Sequence, residues 1–211
     1  MNGIKRGRIM SLIDRAKNIL LSPQTEWPKI DGETNTVGGL FTGYAMILAI
    51  LPAIGSVISS VAISGALGVP GLGMGFVLVS AVVSYVISLG VMYLMGIIAN
   101  ALSPSFDGQK DQLAAMKTVV YSGTPIWVAG LLSWIPILGW LLALAAFGYA
   151  GYQIYLGSQA TSKVPQDKAV GFTIVLILIW IVTYIVISGI ITAMLIGSMF
   201  TGAMGAAALY G

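Results

Sequence analysis

Two sets of hydroxyls are spaced to act together. Ser56, Ser60 and Ser64 recur every fourth residue, and Ser80, Ser84 and Ser88 do so in the next apolar stretch. At that spacing each trio forms one stripe on a helix. A stripe of this kind either lets helices approach closely and share hydrogen bonds, or gives a solute path a polar lining. Neither use is covalent chemistry. A serine nucleophile needs an adjacent base, and the chain has neither histidine nor cysteine. His-based triads, imidazole relays, His- or Cys-ligated zinc and thiolate chemistry therefore drop out. The seven Asp and Glu all lie outside the apolar stretches, so no carboxylate stands at membrane depth for a coupled ion pathway. An enzyme is not expected, and no catalytic, cofactor-binding or metal-ligating residue is assigned.

Other residues mark geometry rather than reactivity. Pro52 and Pro125 fall inside apolar runs, where each frees one carbonyl (of Leu48 and Tyr121 respectively) and is expected to kink its helix. Gly39 with Gly43, and Ser188 with Thr192, read as small-residue packing pairs. Tyr149, Tyr152 and Tyr155 cluster with Gln153 and read as an aromatic belt at a membrane boundary. Gly68, Gly71, Gly73 and Gly75 lack the strand and lysine of a phosphate loop. Asp107 and Asp111 fall short of a calcium loop and read as solvated turn residues.

The elements behind these residues are set by charge. The ten Lys/Arg and seven Asp/Glu are confined to three islands, residues 1–33, 107–117 and 163–168, in a chain that is 57% hydrophobic. A bilayer core needs roughly 20 apolar residues of helix to cross. The long uncharged tracts, divided at their turn residues, predict an all-α integral membrane protein: a polytopic bundle of five transmembrane helices. The expected spans are about 39–66, 75–99, 113–134, 137–156 and 170–196, within a domain of residues 38–200. Residues 201–211 read as a short external tail. Lys and Arg then fall on alternate connections, which places the N-terminus in the cytoplasm and the C-terminus outside. No cleavable signal peptide is expected. The basic balance, net +3, reads as orientation signal and attraction to anionic lipid, not nucleic-acid binding.

Residues 1–37 read as a short amphipathic cytoplasmic segment. Ile9, Leu12, Ile13, Ala16, Ile19 and Leu20 recur at helical spacing, opposite Arg8, Ser11, Asp14, Arg15 and Asn18. Ser22-Pro23 predicts a helix start, and a short second element ends before Pro28, with Trp27 at the membrane boundary. The segment anchors in the interface, packs on the bundle, or docks a partner.

The order of segments resembles the YIP family of Ypt/Rab-interacting membrane proteins, in its bacterial inner-membrane branch. Three stretches carry the likeness over about residues 19–196: Ile19-Leu20-Leu21-Ser22-Pro23 with Glu26-Trp27-Pro28-Lys29-Ile30; Asn100 through Phe106-Asp107-Gly108-Gln109-Lys110 to Tyr121-Ser122-Gly123-Thr124-Pro125; and Gly151-Tyr152 through Gly157 to Pro165-Gln166-Asp167-Lys168 and Phe172. The resemblance implies five helices with a cytoplasmic N-terminus, in an inner membrane. In eukaryotes the family is tied to vesicle traffic and Rab-type GTPases, but the Asp-Leu-Tyr-Gly-Pro signature of that branch is absent here, and Trp27-Pro28 stands in its place. What it implies for this chain is a non-enzymatic scaffold that binds a membrane partner or lipid. Trp27, Phe106, Gln109, Lys110 and Lys168 are the expected contact or structural determinants at the cytoplasmic face. The other expectation is a small homo-oligomeric channel or passive permease lined by the serine stripes.

Overall fold

A computed structural model of the chain describes the backbone of residues 2–67 and 73–210, and the side chains of 12–65, 73–191 and 193. The Gly/Pro loop expected at 67–74 lies largely outside the described residues, as do the side chains of Ile9, Ser11 and Thr192. Among the described residues every regular element is helical. Met1–Ile174 forms one compact unit and Val175–Gly211 a second.

The chain opens with α1 (Asn2–Leu21) and α2 (Pro23–Gly32). Pro23 sits at the first turn of α2, where a missing N–H costs nothing. The Ser22 side chain does not cap this helix; its carbonyl accepts the Thr25 and Glu26 amides instead. The helix also continues through Pro28, where the sequence predicts its end.

Four short pieces then build the first long apolar helix: α3 (Val37–Leu40), a π-helical turn Phe41–Ala45, α4 (Met46–Leu48) and α5 (Ile50–Leu67). Thr36 caps its start by accepting the Gly39 amide at 3.0 Å. The kink expected at Pro52 is drawn out toward the N-terminus, as a π turn and a break at Ala49. A proline lacks its own N–H and so frees the carbonyl one turn before it, here that of Leu48, and the preceding turns are free to change register. The Tyr85 hydroxyl donates to the Met46 carbonyl at 2.8 Å within this irregular stretch.

Next come α6 (Met74–Leu102), a 3-10 turn Ser103–Phe106, α7 (Gln112–Ser122) and α8 (Thr124–Leu131). Asp111 caps α7, accepting the Ala114 amide at 3.0 Å. The expected span at 113–134 is thus two short helices, separated at Gly123. Pro125 frees the Tyr121 carbonyl, and the Thr124 hydroxyl donates to it at 2.7 Å. Helix α8 crosses α5 backbone to backbone: a Cβ on Gly55 would collide with the Gly130 carbonyl oxygen. A tight turn follows, with the Leu138 amide on the Pro136 carbonyl at 2.6 Å and Ile137 at φ 64. It leads into α9 (Leu138–Ala160) and then α10 (Gln166–Tyr210). The backbone of α10 stays helical through Tyr210, past the expected end near 196.

Among the described residues, three helices are long and apolar enough to cross a membrane: Val37–Gly65, Met74–Phe106 and Gln166–Ile191. The pair α7–α8 is excluded by its break. Helix α9 has the length, but Tyr149, Tyr152, Gln153 and Tyr155 make it less apolar than these three. Along α5 and α6 large side chains such as Ile58, Val61, Val79 and Val86 are exposed, as lipid-facing surfaces are. The well-buried core collects instead at the charged end, around Trp27, Ile19, Ile30, Met116 and Phe172.

Candidate functional site

The charged islands meet at one end of the first unit. The N-terminal segment is folded onto α7 and α9 there through buried polar contacts. Trp27 is fully buried, and its Nε1–H donates to Gln153 Oε1 at 2.8 Å. The other half of that amide, Gln153 Nε2, donates to the Ile19 carbonyl at 2.6 Å. One glutamine side chain therefore ties α1 and α2 to α9 and is itself satisfied by the pair. The Tyr149 hydroxyl adds a bond to the Leu20 carbonyl at 2.8 Å, and Gln24 donates to the Tyr152 hydroxyl at 3.1 Å. Glycine makes the approach possible: a Cβ at Gly157 would lie 2.6 Å from Trp27 Cη2.

Lys117 of α7 holds the far end of α2. Its buried ammonium donates to the carbonyls of Ile30, Asp31 and Glu33 at 2.8, 3.3 and 2.7 Å. These are carbonyls at and beyond the last turn of the helix, and a cation there also meets the negative end of the helix dipole. Glu26, equally buried, accepts Arg15 at 2.5 Å, Lys29 at 3.0 Å and Asn18 at 3.3 Å. Arg15 pairs with Glu33 as well and lies 5.8 Å from the centroid of the Tyr121 ring.

The two other charged loops join this base. Thr118 and Thr161 share a buried hydroxyl contact at 2.6 Å, and Thr161 also donates to the Ala114 carbonyl at 2.9 Å. The Gln109 amide donates to the Ser162 carbonyl at 2.8 Å, joining the loop before α7 to the one after α9. Lys163 pairs with Asp31 at 2.6 Å, and Lys168 pairs with Asp107, which sits in the left-handed region at φ 58.

The residues singled out from sequence divide into two groups. Trp27, expected at the membrane boundary, is buried inside protein. Phe106 is half-buried, edge-on to Phe172 at 5.8 Å and against Gly171. Gln109 and Lys110 are exposed. Lys168 is held by Asp107. Of the tyrosines expected as a belt, Tyr149 and Tyr152 instead contact the N-terminal segment. Sequence reasoning passed over Lys117, Gln153 and Gly157 as anchors. The available signals were a lone lysine within a predicted span and a lone glutamine within the next.

The serine stripes lie elsewhere. A groove of about 410 Å³ opens between α5 and α6, lined by Ile50, Ile54, Ile58, Leu78, Val82 and Tyr85 among others, with no serine. Ser56, Ser60 and Ser64 donate to the carbonyls of Ala53, Ser56 and Ser60 on their own helix, and Ser88 to that of Tyr85. Ser84 is exposed and Ser80 half-buried.

Among the described residues the protein is all-helical, with three helices long and apolar enough to cross a membrane and polar packing gathered at one end of the first unit, which defines it as an integral membrane protein. The Yip1 domain family matches residues 17–190, most of the chain, and the protein belongs to that family. It is similar to two curated bacterial proteins, both described as inner membrane protein YohC, from Escherichia coli K12 and Escherichia coli O6:H1. Each is 25% identical over 157 residues, covering 72% of this chain and 80% of the relative. No solved structure matches it.

Proposed function

We propose that this Yip1-family protein acts by binding rather than by catalysis. Its charged end serves as a preformed platform for a membrane-protein partner or lipid headgroups, in membrane organisation or a trafficking-like role. The observation that carries this reading is the docking of α1 and α2 through Trp27, Gln153 and Lys117. Together with the Lys163–Asp31 and Lys168–Asp107 pairs, that contact gathers the three charged islands into one base, on which Gln109 and Lys110 are exposed. A groove of about 270 Å³ between α2 and α9 adds two amides, Gln24 and Gln159, to the same end.

The topology in this proposal has five spans, the three long helices plus the α7–α8 pair and α9. Its N-terminus is cytoplasmic and its C-terminus periplasmic. The distribution of Lys and Arg supports the orientation, and the inner-membrane description of the relatives supports the location. The test is a photo-crosslinking residue placed at Gln109 or Lys110 in the full chain, followed by mass spectrometry. Adducts with one protein or one lipid class support the platform. Exclusive self-adducts would replace it with a homo-oligomer.

A further inference from the structure

Helix α1 carries aliphatic residues on two sides. Ala16 and Ile19 are buried, whereas Ile13 and Leu21 are 58% and 70% exposed. With exposed Lys17 between them, the last two form an outer ridge at four-residue spacing, Ile13–Lys17–Leu21. Sequence periodicity groups Ile13 with Ala16 and Ile19 on one face, and the structure separates them. The side expected to be polar is partly used up, since Arg15 and Asn18 turn to Glu26.

A helix apolar on both sides fits between protein and lipid. Helix α1 packs against α8, an uncharged element of largely apolar residues that the five-span proposal places in the bilayer, which sets α1 beside the membrane. Its charge apart from the paired Arg15 is one-sided as well: Lys5, Arg6, Arg8 and Lys17 against Asp14 alone. The neighbouring carboxylates Glu26, Asp31 and Glu33 are already engaged by cations of the protein.

We propose that the outer ridge of α1 rests in an anionic phospholipid leaflet. Ile13 and Leu21 enter the acyl boundary, and Lys17 lies against lipid phosphate. This deepens the binding reading by naming the occupant of one surface, and it depends on that reading only for which leaflet is met. The exposed ridge contributes nothing to the core, so substitutions there leave the fold intact.

The chain has no cysteine, which allows single labels. Nitroxides at Ile13→Cys and Leu21→Cys, with Lys110→Cys as a loop control, are compared in full-length protein in nanodiscs. The discs contain phosphatidylcholine alone or with phosphatidylglycerol. Collisions with oxygen relative to an aqueous nickel chelate rise several-fold at the two ridge positions over the control. In mixed discs Lys17→Gln lowers phosphatidylglycerol contact at the Leu21→Cys label about fivefold, the factor for one basic residue near an anionic surface. Nickel access equal to the control at both positions overturns the proposal. So does protection that occurs only in native membranes, which assigns the ridge to a protein. Failure of crosslinking from Gln109 and Lys110 leaves these readouts untouched, so the two proposals fail separately.

Discussion

Replacing Gly157 with alanine tests how the N-terminal segment is held. The added Cβ would stand 2.6 Å from Trp27 Cη2 and 2.9 Å from both Cζ2 and Cζ3, all well inside van der Waals contact. Any retreat of Trp27 disturbs its docking, because it is buried and its Nε1–H is held on Gln153. Overpacking of this kind costs about 1–3 kcal/mol. The opened population of the segment then rises about 5- to 150-fold. The assay is thiol labelling at Ala16→Cys, buried in the docked state, under conditions where labelling reports the open fraction. The partner change is Trp27→Phe, whose smaller ring lacks all three colliding atoms. It destabilises docking by itself, yet in its presence Gly157→Ala costs little more. A double mutant whose labelling rate equals the product of the two separate effects would refute the argument, as would no rate change in Gly157→Ala alone.

Other perturbations follow from the same contacts. Lys117→Met keeps the aliphatic stem but orphans the α2 carbonyls. It weakens docking by about 2–3 kcal/mol, read as faster proteolysis between α2 and α3. Thr124→Val strands the buried Tyr121 carbonyl and the Tyr44 hydroxyl, which lie 2.7 and 2.8 Å from Thr124 Oγ1; about 1–3 kcal/mol of thermal stability is lost. Ile137→Gly relieves a left-handed β-branched residue and raises stability by about 1 kcal/mol in a thermal melt. Alanine at Ser56, Ser60 or Ser88 shifts stability by less than about 0.5 kcal/mol, since each hydroxyl only returns to its own helix. A drop in solute flux in proteoliposomes on those changes would instead mark the serines as a lining.

Membrane character and family were legible because they rest on coarse properties. Where charges are allowed, and in what order the islands fall, survives any local misreading. The site was less legible, for a physical reason. Apolar periodicity shows that a face needs apolar surroundings, but not whether lipid or protein supplies them. Trp27, Tyr149 and Ile19 therefore read as interfacial although each meets protein. Serine spacing leaves the same question open, since a hydroxyl satisfied by its own helix can face any direction. Ser122-Gly123-Thr124-Pro125 predicts a kink, but glycine and proline two residues apart end one helix and start another. The signals that did point to the base were single polar residues in the wrong company, Lys117 and Gln153.

Photo-crosslinking from Lys110 in inside-out membrane vesicles, compared between the parent protein and Gly157→Ala, tests the platform most directly. A preformed platform predicts one dominant adduct, a protein or a lipid class, that diminishes when the segment is loosened. An adduct pattern unchanged by undocking, or one made only of copies of the chain itself, would contradict the account.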